Sequence, residues 1–193
     1  MPEINVKNII VETATIFFSK FGFHKTTMDE IAKHIHKAKG VLYYYFKSKE
    51  ELFNEVLKRE LNSVKANLSK IVTSDADSLT ILNEYILTRF KILNNSENYH
   101  ETLKADFFEK YQFVKDVRDE FDAFERTQLT YILSKGKDEE RLDISNVNST
   151  LNVIMMVIHS IEIPLYLQNK YTEYEKPIDE LVTLLIKSLK TLK

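Results

Sequence analysis

The sequence predicts an all-α fold, and three observations carry that expectation. Its 193 residues hold only 3 Gly and 3 Pro, too little punctuation for the turns of a many-stranded protein. Apolar residues return every three or four positions along most of the chain, which lays one apolar stripe along a helix. Two helix starts are marked by the S/T-x-x-E pattern, Thr27 with Glu30 and Ser48 with Glu51. About nine helices are expected. They divide into an amino-terminal part, residues 1–47, and a carboxy-terminal part, residues 48–193.

Ile4 to Phe21 reads as the first helix, with Ile9, Ile10, Thr13, Ala14, Phe17, Phe18 and Phe21 on one face and Gly22 as its carboxy-terminal cap. A second helix starts at Thr27, whose hydroxyl caps an amide three residues on while Glu30 reaches back. Met28, Ile31, Ala32 and Ile35 are its apolar side. After a break at His36 to Lys39 the spacing resumes with Val41, Leu42, Tyr45 and Phe46. Two short helices joined by a turn, the second basic and aromatic, form the pattern of a helix-turn-helix DNA reader. The first helix is expected to pack on Ile31, Ile35 and Leu42, fixing the angle of the recognition helix, Ala38 to Tyr45. On that helix Leu42 and Phe46 point inward. Lys39, Gly40, Tyr43 and Tyr44 fall on or near the exposed side, since three consecutive tyrosines cannot all face a core. Gly40 lets Lys39 and the backbone approach base edges, and Lys37 and Ala38 complete the contact set at the helix start. Thr27 and Lys49, each beginning a helix, are expected phosphate anchors, because free amides and the helix dipole favour an anion there.

The formal charge of −2 does not by itself suggest a nucleic-acid partner, but its distribution does. Between Lys20 and Lys49 stand seven lysines against Asp29 and Glu30, together with His24, His34 and His36. A basic patch that coincides with the turn motif is the footprint of a DNA-contact face. The absence of Cys removes disulfides and thiolate metal sites and suits a reducing cytoplasm. The start, MPEINVKNII, has no basic residues followed by an unbroken apolar run, and no window is read as long enough for a membrane span. A cytoplasmic protein with no membrane partner is expected.

The set Phe17, Phe18, Gly22, Phe23, Thr26, Thr27, Ile31, Ala32, Gly40, Leu42, Tyr43, Tyr45, Phe46, Ser48, Lys49, Glu50 and Leu52 resembles the amino-terminal domain of TetR-type transcriptional regulators. The rest of the chain resembles that family in length and helical character. The resemblance implies a helix-turn-helix domain followed by a ligand-binding domain, phosphate bonds from the hydroxyls of Tyr43 and Tyr44, and a homodimer whose last two long helices pack into a four-helix bundle. Two positions depart from the family pattern: the turn Gly is His36, and the small hydroxyl residue that opens the recognition helix is Ala38. His is among the few non-glycine residues enriched at positive φ. The missing cap costs about 1 kcal/mol.

From Ser48 a long helix is expected to about Val72, on a stripe of Phe53, Val56, Leu57, Leu61, Val64, Leu68 and Ile71. It belongs to both functional parts, so a tilt of its far end would move Lys39. TSDADS, residues 73–78, reads as a turn and helix cap, lacking the Gly and distal Glu of a calcium loop. A helix from Ser78 to Asn94 follows, with Leu79, Leu82, Tyr85, Ile86, Phe90 and Leu93, and Asn95 to Asn98 break it. Two helices are expected between Tyr99 and Lys135, one around Leu103, Phe107, Phe108 and Tyr111, the other around Val117, Phe121, Phe124 and Ile132, ending near Gly136. KDEERLDISN is a charged connection to a helix over Val147 to Leu167, where VIMMVI is apolar on all sides and needs cover on more than one face. Pro164 is expected to kink this helix near the Ser160 carbonyl. The last helix, Ile178 to Leu192, carries one seam of Ile178, Leu181, Val182, Leu185, Ile186 and Leu189, and two such helices suggest pairing with a second copy. Phe90, Phe107, Phe108, Tyr111, Phe124, Met155, His159 and Glu162 are candidates to line a cavity for a small effector, although aromatics at helical spacing are core by default and His159 and Glu162 more readily read as satisfied polar residues at a dimer rim.

No enzyme is expected, since there is no glycine-rich phosphate loop, nucleophile elbow or metal-ligand spacing, and His34 and His36 diverge on a helix. No cofactor is expected either. The resulting expectation is a homodimeric, ligand-responsive transcriptional regulator, a repressor that binds a palindromic double-stranded DNA operator and is released by a small apolar or aromatic molecule. The alternative, a helical dimerisation scaffold without sequence-specific DNA binding, leaves the basic unit from Thr27 to Lys49 unexplained.

Overall fold

The computed structural model describes residues 5–104 and 111–190, so Ile4, Phe107, Phe108 and Leu192 lie outside the described residues. Among these residues the chain forms nine α-helices and a π-helical turn. The helices are α1 (Val6–Phe21), α2 (Met28–His34), α3 (Lys39–Tyr45), α4 (Lys49–Val72), α5 (Ser78–Asn94), α6 (Glu97–Glu101), α7 (Gln112–Asp138), α8 (Val147–Ser160) and α9 (Tyr171–Leu189), with the π-turn at Ile163–Leu167. Extended pairing among the described residues is limited to one antiparallel bridge, Leu142 with Lys190. The chain gathers into two compact units, Met1–Asn62 with Glu97–Val117, and Ser63–Ser96 with Arg118–Lys193.

The first unit is built on α1 and the start of α4. The buried stripe of α1 is Ile10, Val11, Thr13, Ala14 and Phe18. It is rotated from the expected one: Ile9 and Phe21 are exposed by 38% and 47%, because the arc centred on Ile10, Ala14 and Phe18 leaves them at its edges. The rings of Phe18, Phe23 and Phe53 meet with centroids 4.9 to 5.9 Å apart. Gly22 ends α1 at φ 79°, donating to the Phe18 carbonyl at 2.9 Å, a conformation that glycine adopts without strain. The expected break at Asn95 to Asn98 is shorter, because α6 restarts at Glu97. Its free amino-terminal amides find an acceptor in Glu60 of α4: the Tyr99 N–H donates to Glu60 Oε2 at 2.8 Å, and Asn98 Nδ2 lies 3.5 Å from Glu60 Oε1. Burial pushes the Glu60 carboxyl up to about 7 against these hydrogen bonds.

In the second unit Asp77 caps α5, accepting from the Leu79 and Thr80 amides at 3.0 and 3.3 Å, as expected of TSDADS. Helix α7 continues through Gly136 to Asp138 instead of ending there. The glycine serves packing: a Cβ at this position would collide with the Leu142 side chain. Helix α8 stops at Ser160. Pro164 has no N–H for the Ser160 carbonyl, so the expected kink becomes a break, and the chain widens into a π-turn closed by Gln168 N–H to Ile163 O at 3.3 Å. Helix α9 begins at Tyr171, two turns before the expected Ile178, with Pro177 inside it. Proline's fixed φ is helical and costs that helix one hydrogen bond, so it did not end the element.

One expectation on membranes is corrected. Val147–Leu167 is long and apolar enough by composition to cross a bilayer, with a mean hydropathy of 1.5 in its richest window. The uncharged Ser, Thr and Asn residues around VIMMVI lower that average little. A core helix passes the same test, and here Leu151, Ile154, Met155 and Ile158 are buried in the unit.

Candidate nucleic-acid interface

The reciprocal cap expected at α2 is present. The Glu30 N–H donates to Thr27 Oγ1 at 3.3 Å and the Thr27 N–H to Glu30 Oε2 at 2.9 Å. The turn that follows takes its positive φ from His36, at 53°, and closes through His36 N–H to Lys33 O and Lys37 N–H to Ala32 O, 3.1 and 3.0 Å. Ala38 opens α3 without a side-chain cap. Leu42 and Phe46 are buried, while Thr27, Lys37, Ala38, Lys39, Gly40, Tyr43 and Tyr44 are exposed, Tyr44 by 82%. A Cβ on Gly40 would meet nothing within 4 Å, so the outer surface of α3 is open at its first turn.

The two lysines expected to matter most are held differently. Lys39 Nζ lies 3.0 and 3.1 Å from the Asp29 carboxylate oxygens and 5.7 Å from the Tyr43 ring centroid. The hydrogen bond to Asp29 and its charge raise the Lys39 ammonium above its ordinary value. Lys49 is half-buried and turns its ammonium onto the α1–α2 connection, donating to the carbonyls of Phe23, Thr26 and His24 at 2.8, 3.1 and 3.4 Å, 4.3 Å over the Phe23 ring. Desolvation lowers its pKa. Its ammonium thus ties the start of α4 to the loop that leads into α2. The cap preceding it differs in one bond from the expected box: Ser48 Oγ accepts from the Glu51 N–H at 3.1 Å, but the Glu51 carboxylate accepts from Lys47 N–H at 2.6 Å.

The candidate effector residues divide between the units. Tyr111 belongs to the first, where its ring packs on Phe23 and Phe113 at 5.3 and 5.7 Å. In the second, Phe90 and Met155 are buried, Phe124 is half-buried against Phe121 at 6.3 Å, and Glu162 is 1% exposed. Glu162 belongs to a buried charge cluster. Arg89 donates from Nε to Glu125 Oε1 at 2.5 Å, and from Nη2 to Glu125 Oε2 at 3.0 Å and Glu162 Oε1 at 2.6 Å. Arg118 Nη2 stands 3.6 Å from Glu162 Oε2, and His159 Nε2 lies 3.7 Å from Asp122 Oδ1 and 3.8 Å from Glu125 Oε2. Burial would raise the Glu125 carboxyl, but the Arg89 charge and the His159 hydrogen bond outweigh it and hold the pKa low. For Arg89, burial is outweighed by the Glu125 and Glu162 charges, which hold the guanidinium ionised.

A family model described as bacterial regulatory proteins, tetR family, matches residues 10–56, the span from α1 into α4. YhgD of Bacillus subtilis, an uncharacterized HTH-type transcriptional regulator, is 34% identical over 136 residues, which is 70% of this chain and 69% of that protein. The chain belongs to the TetR family. A transcriptional regulator from Cytophaga hutchinsonii shares the fold with a TM-score of 0.74 at 25% identity, over 95% of this chain and 98% of that one. A transcriptional regulator from Saccharomonospora viridis in complex with choline matches with a TM-score of 0.83 at 13% identity, over 98% and 100% of the two chains, a likeness of fold alone.

As a TetR-family member the chain is a transcriptional regulator and not an enzyme. Members of the family bind DNA operators as dimers and respond to small molecules. Three residues of this TetR-family chain escaped the sequence reading. Arg89 and Glu125 had a signal: Arg89 continues the stripe of Tyr85 and Leu93, and Glu125 that of Phe121 and Leu129, so opposite charges sat on two core stripes. Asp29 had none, because its partner Lys39 lies beyond a turn.

Proposed function

We propose that this TetR-family regulator is a ligand-released repressor that binds a palindromic operator as a homodimer, with residues 1–47 reading DNA and residues 48–193 binding the effector and pairing the subunits. The observation that carries the reading is the division of α3: Leu42 and, at its end, Phe46 are buried while Lys39, Gly40, Tyr43 and Tyr44 face out. Two such helices, one per subunit, enter successive major grooves about 34 Å apart. Lys39 leaves Asp29 for a base edge, Tyr43 and Tyr44 bond phosphates, and Thr27, Lys37, Ala38 and the α4 start at Lys49 meet the backbone. The outward apolar residues Val153, Met156, Ile163 and Leu184, exposed by 50 to 66%, support pairing through the last two helices. An effector within residues 48–193 favours a conformation in which the half-site spacing is wrong, by no more than its differential affinity for the two states. On this reading the protein works in the cytoplasm, where its operator lies.

The test is selection of random duplex DNA on the purified protein. An enriched inverted repeat with a steep salt slope is expected, along with loss of preference at one base position in Lys39→Ala, worth about 1–3 kcal/mol. Lys37→Ala should reduce the salt slope by about one. No enrichment would overturn the reading in favour of a dimerisation scaffold.

A further inference from the structure

Besides the hydroxyls of Ser74 and Ser78, the buried polar atoms of the second unit without a hydrogen-bond partner among the described residues include two on one helix face, Nη1 of Arg89 and the hydroxyl of Tyr85. The two side chains stand one turn apart on α5 and so share a face. The other donors of Arg89 that point into the charge cluster are committed to Glu125 and Glu162. Buried donors are ordinarily matched, and an unmatched one carries the full cost of its desolvation. Here two unmatched groups lie together in a domain that is read above as the effector domain.

We propose that Arg89 Nη1 and the Tyr85 hydroxyl are the polar anchor of the effector site, and that the effector is an uncharged molecule presenting a carbonyl or hydroxyl oxygen on an apolar body. This rests on the ligand-responsive reading above and names the ligand's class. The charges around the anchor argue for neutrality. The Arg89 guanidinium is already answered by Glu125 and Glu162, and Glu162 also faces Arg118 at 3.6 Å, so the cluster is balanced and an anionic ligand would bring an unanswered negative charge into a buried site. A cationic ligand would face Nη1, which can only donate. A neutral oxygen can accept from Nη1 and from the Tyr85 hydroxyl together. The surroundings offer an apolar body a ring to rest on: the Phe90 ring lies 5.7 Å from the Arg89 guanidinium, and the Tyr166 hydroxyl donates to the Phe90 carbonyl at 3.3 Å. Both anchor atoms are shut from solvent in this conformation. A ligand that reaches them therefore selects a second conformation, which is the differential affinity that release of DNA requires.

The experiment is calorimetric titration of the full chain, without DNA, against matched probes: 2-decanone and 1-decanol against decanoate and decylamine, and 4-phenylcyclohexanone against 4-phenylbenzoate. Neutral members should bind at least tenfold more tightly than their charged counterparts. Tyr85→Phe should weaken that binding about tenfold while leaving the unliganded melting temperature equal or higher, since it deletes an unmatched hydroxyl. Arg89→Lys, which keeps a cation for Glu125 and Glu162 but has no Nη1, is the second variant and should show the same loss. Charged members binding as well, no neutral member binding, or unchanged affinity in Tyr85→Phe would overturn the anchor, the last outcome assigning both groups to a buried water. Operator binding measured on the same samples without probe separates the two readings: if it is intact while the series fails, only the anchor falls, and if it is absent the regulator reading falls.

Discussion

Replacing Glu60 with Gln should make the protein more stable at neutral pH, and the structure sets the amount. Glu60 is a buried carboxyl whose pKa stands at about 7 against an ordinary 4.5. The folded state therefore holds its proton more tightly than the unfolded chain. Its contribution is fully present below about pH 4.5, declines as pH rises through the window to about 7, and is lost above it. At 1.36 kcal/mol per unit the loss is about 3 kcal/mol. Gln at this position keeps an acceptor for the Tyr99 N–H. Its amide can donate to Asn98 Oδ1, which has no partner among the described residues, once the Asn98 amide turns over. Urea unfolding of wild type and Glu60→Gln, measured from pH 4.5 to 8.5, should give curves that coincide at the acid end and separate by about 3 kcal/mol at the alkaline end. A constant separation across that range would refute the reasoning, because it would mean that Glu60 does not titrate between the two states.

Three further outcomes follow from the packing. Gly136→Ala should destabilise the second unit by about 1–3 kcal/mol in urea, because the new methyl collides with the Leu142 side chain. Glu125→Ala leaves the fully buried Arg89 with Glu162 alone and should cost about 3–5 kcal/mol by the same measurement, more than its loss of packing would explain. Leu184→Glu sets a charge on the outward side of α9 and should shift the protein from dimer to monomer in sedimentation velocity with its helicity retained; an unchanged dimer would move the interface elsewhere.

What could be read from the sequence was what neighbouring residues decide among themselves. The Thr27 and Glu30 cap, the end of α4 at Val72, the Asp77 turn and both ends of α5 are local contests between backbone and side chain, and each came out as expected. Single punctuating residues were harder. Gly136 reads as a stop because glycine most often is, yet it exists to admit Leu142, and the last helix, expected from Ile178, starts earlier and carries Pro177 inside it. Long-range pairings were hardest. Lys49 reads as a phosphate anchor from its place at a helix start, and that local reading gives no sign of its three carbonyl partners, more than twenty positions earlier in the chain. Arg89 finds Glu125 and Glu162 across 36 and 73 positions, and no window of sequence spans such a pair.

The ion pair between Asp29 and Lys39 makes the proposed recognition a contest between two acceptors. On free protein the carboxylate occupies the lysine, so a base edge gains only the difference between itself and Asp29. Where the base offers a good acceptor and phosphates draw the ammonium outward, the lysine transfers, and Asp29 is left facing solvent at modest cost, since both groups are half exposed. Where the base offers a donor, the lysine stays home and the carboxylate remains between protein and an anionic duplex. Asp29 is thus a resident competitor that sets a threshold for Lys39. Removing it should yield a protein that binds more DNA sequences and tells them apart less well.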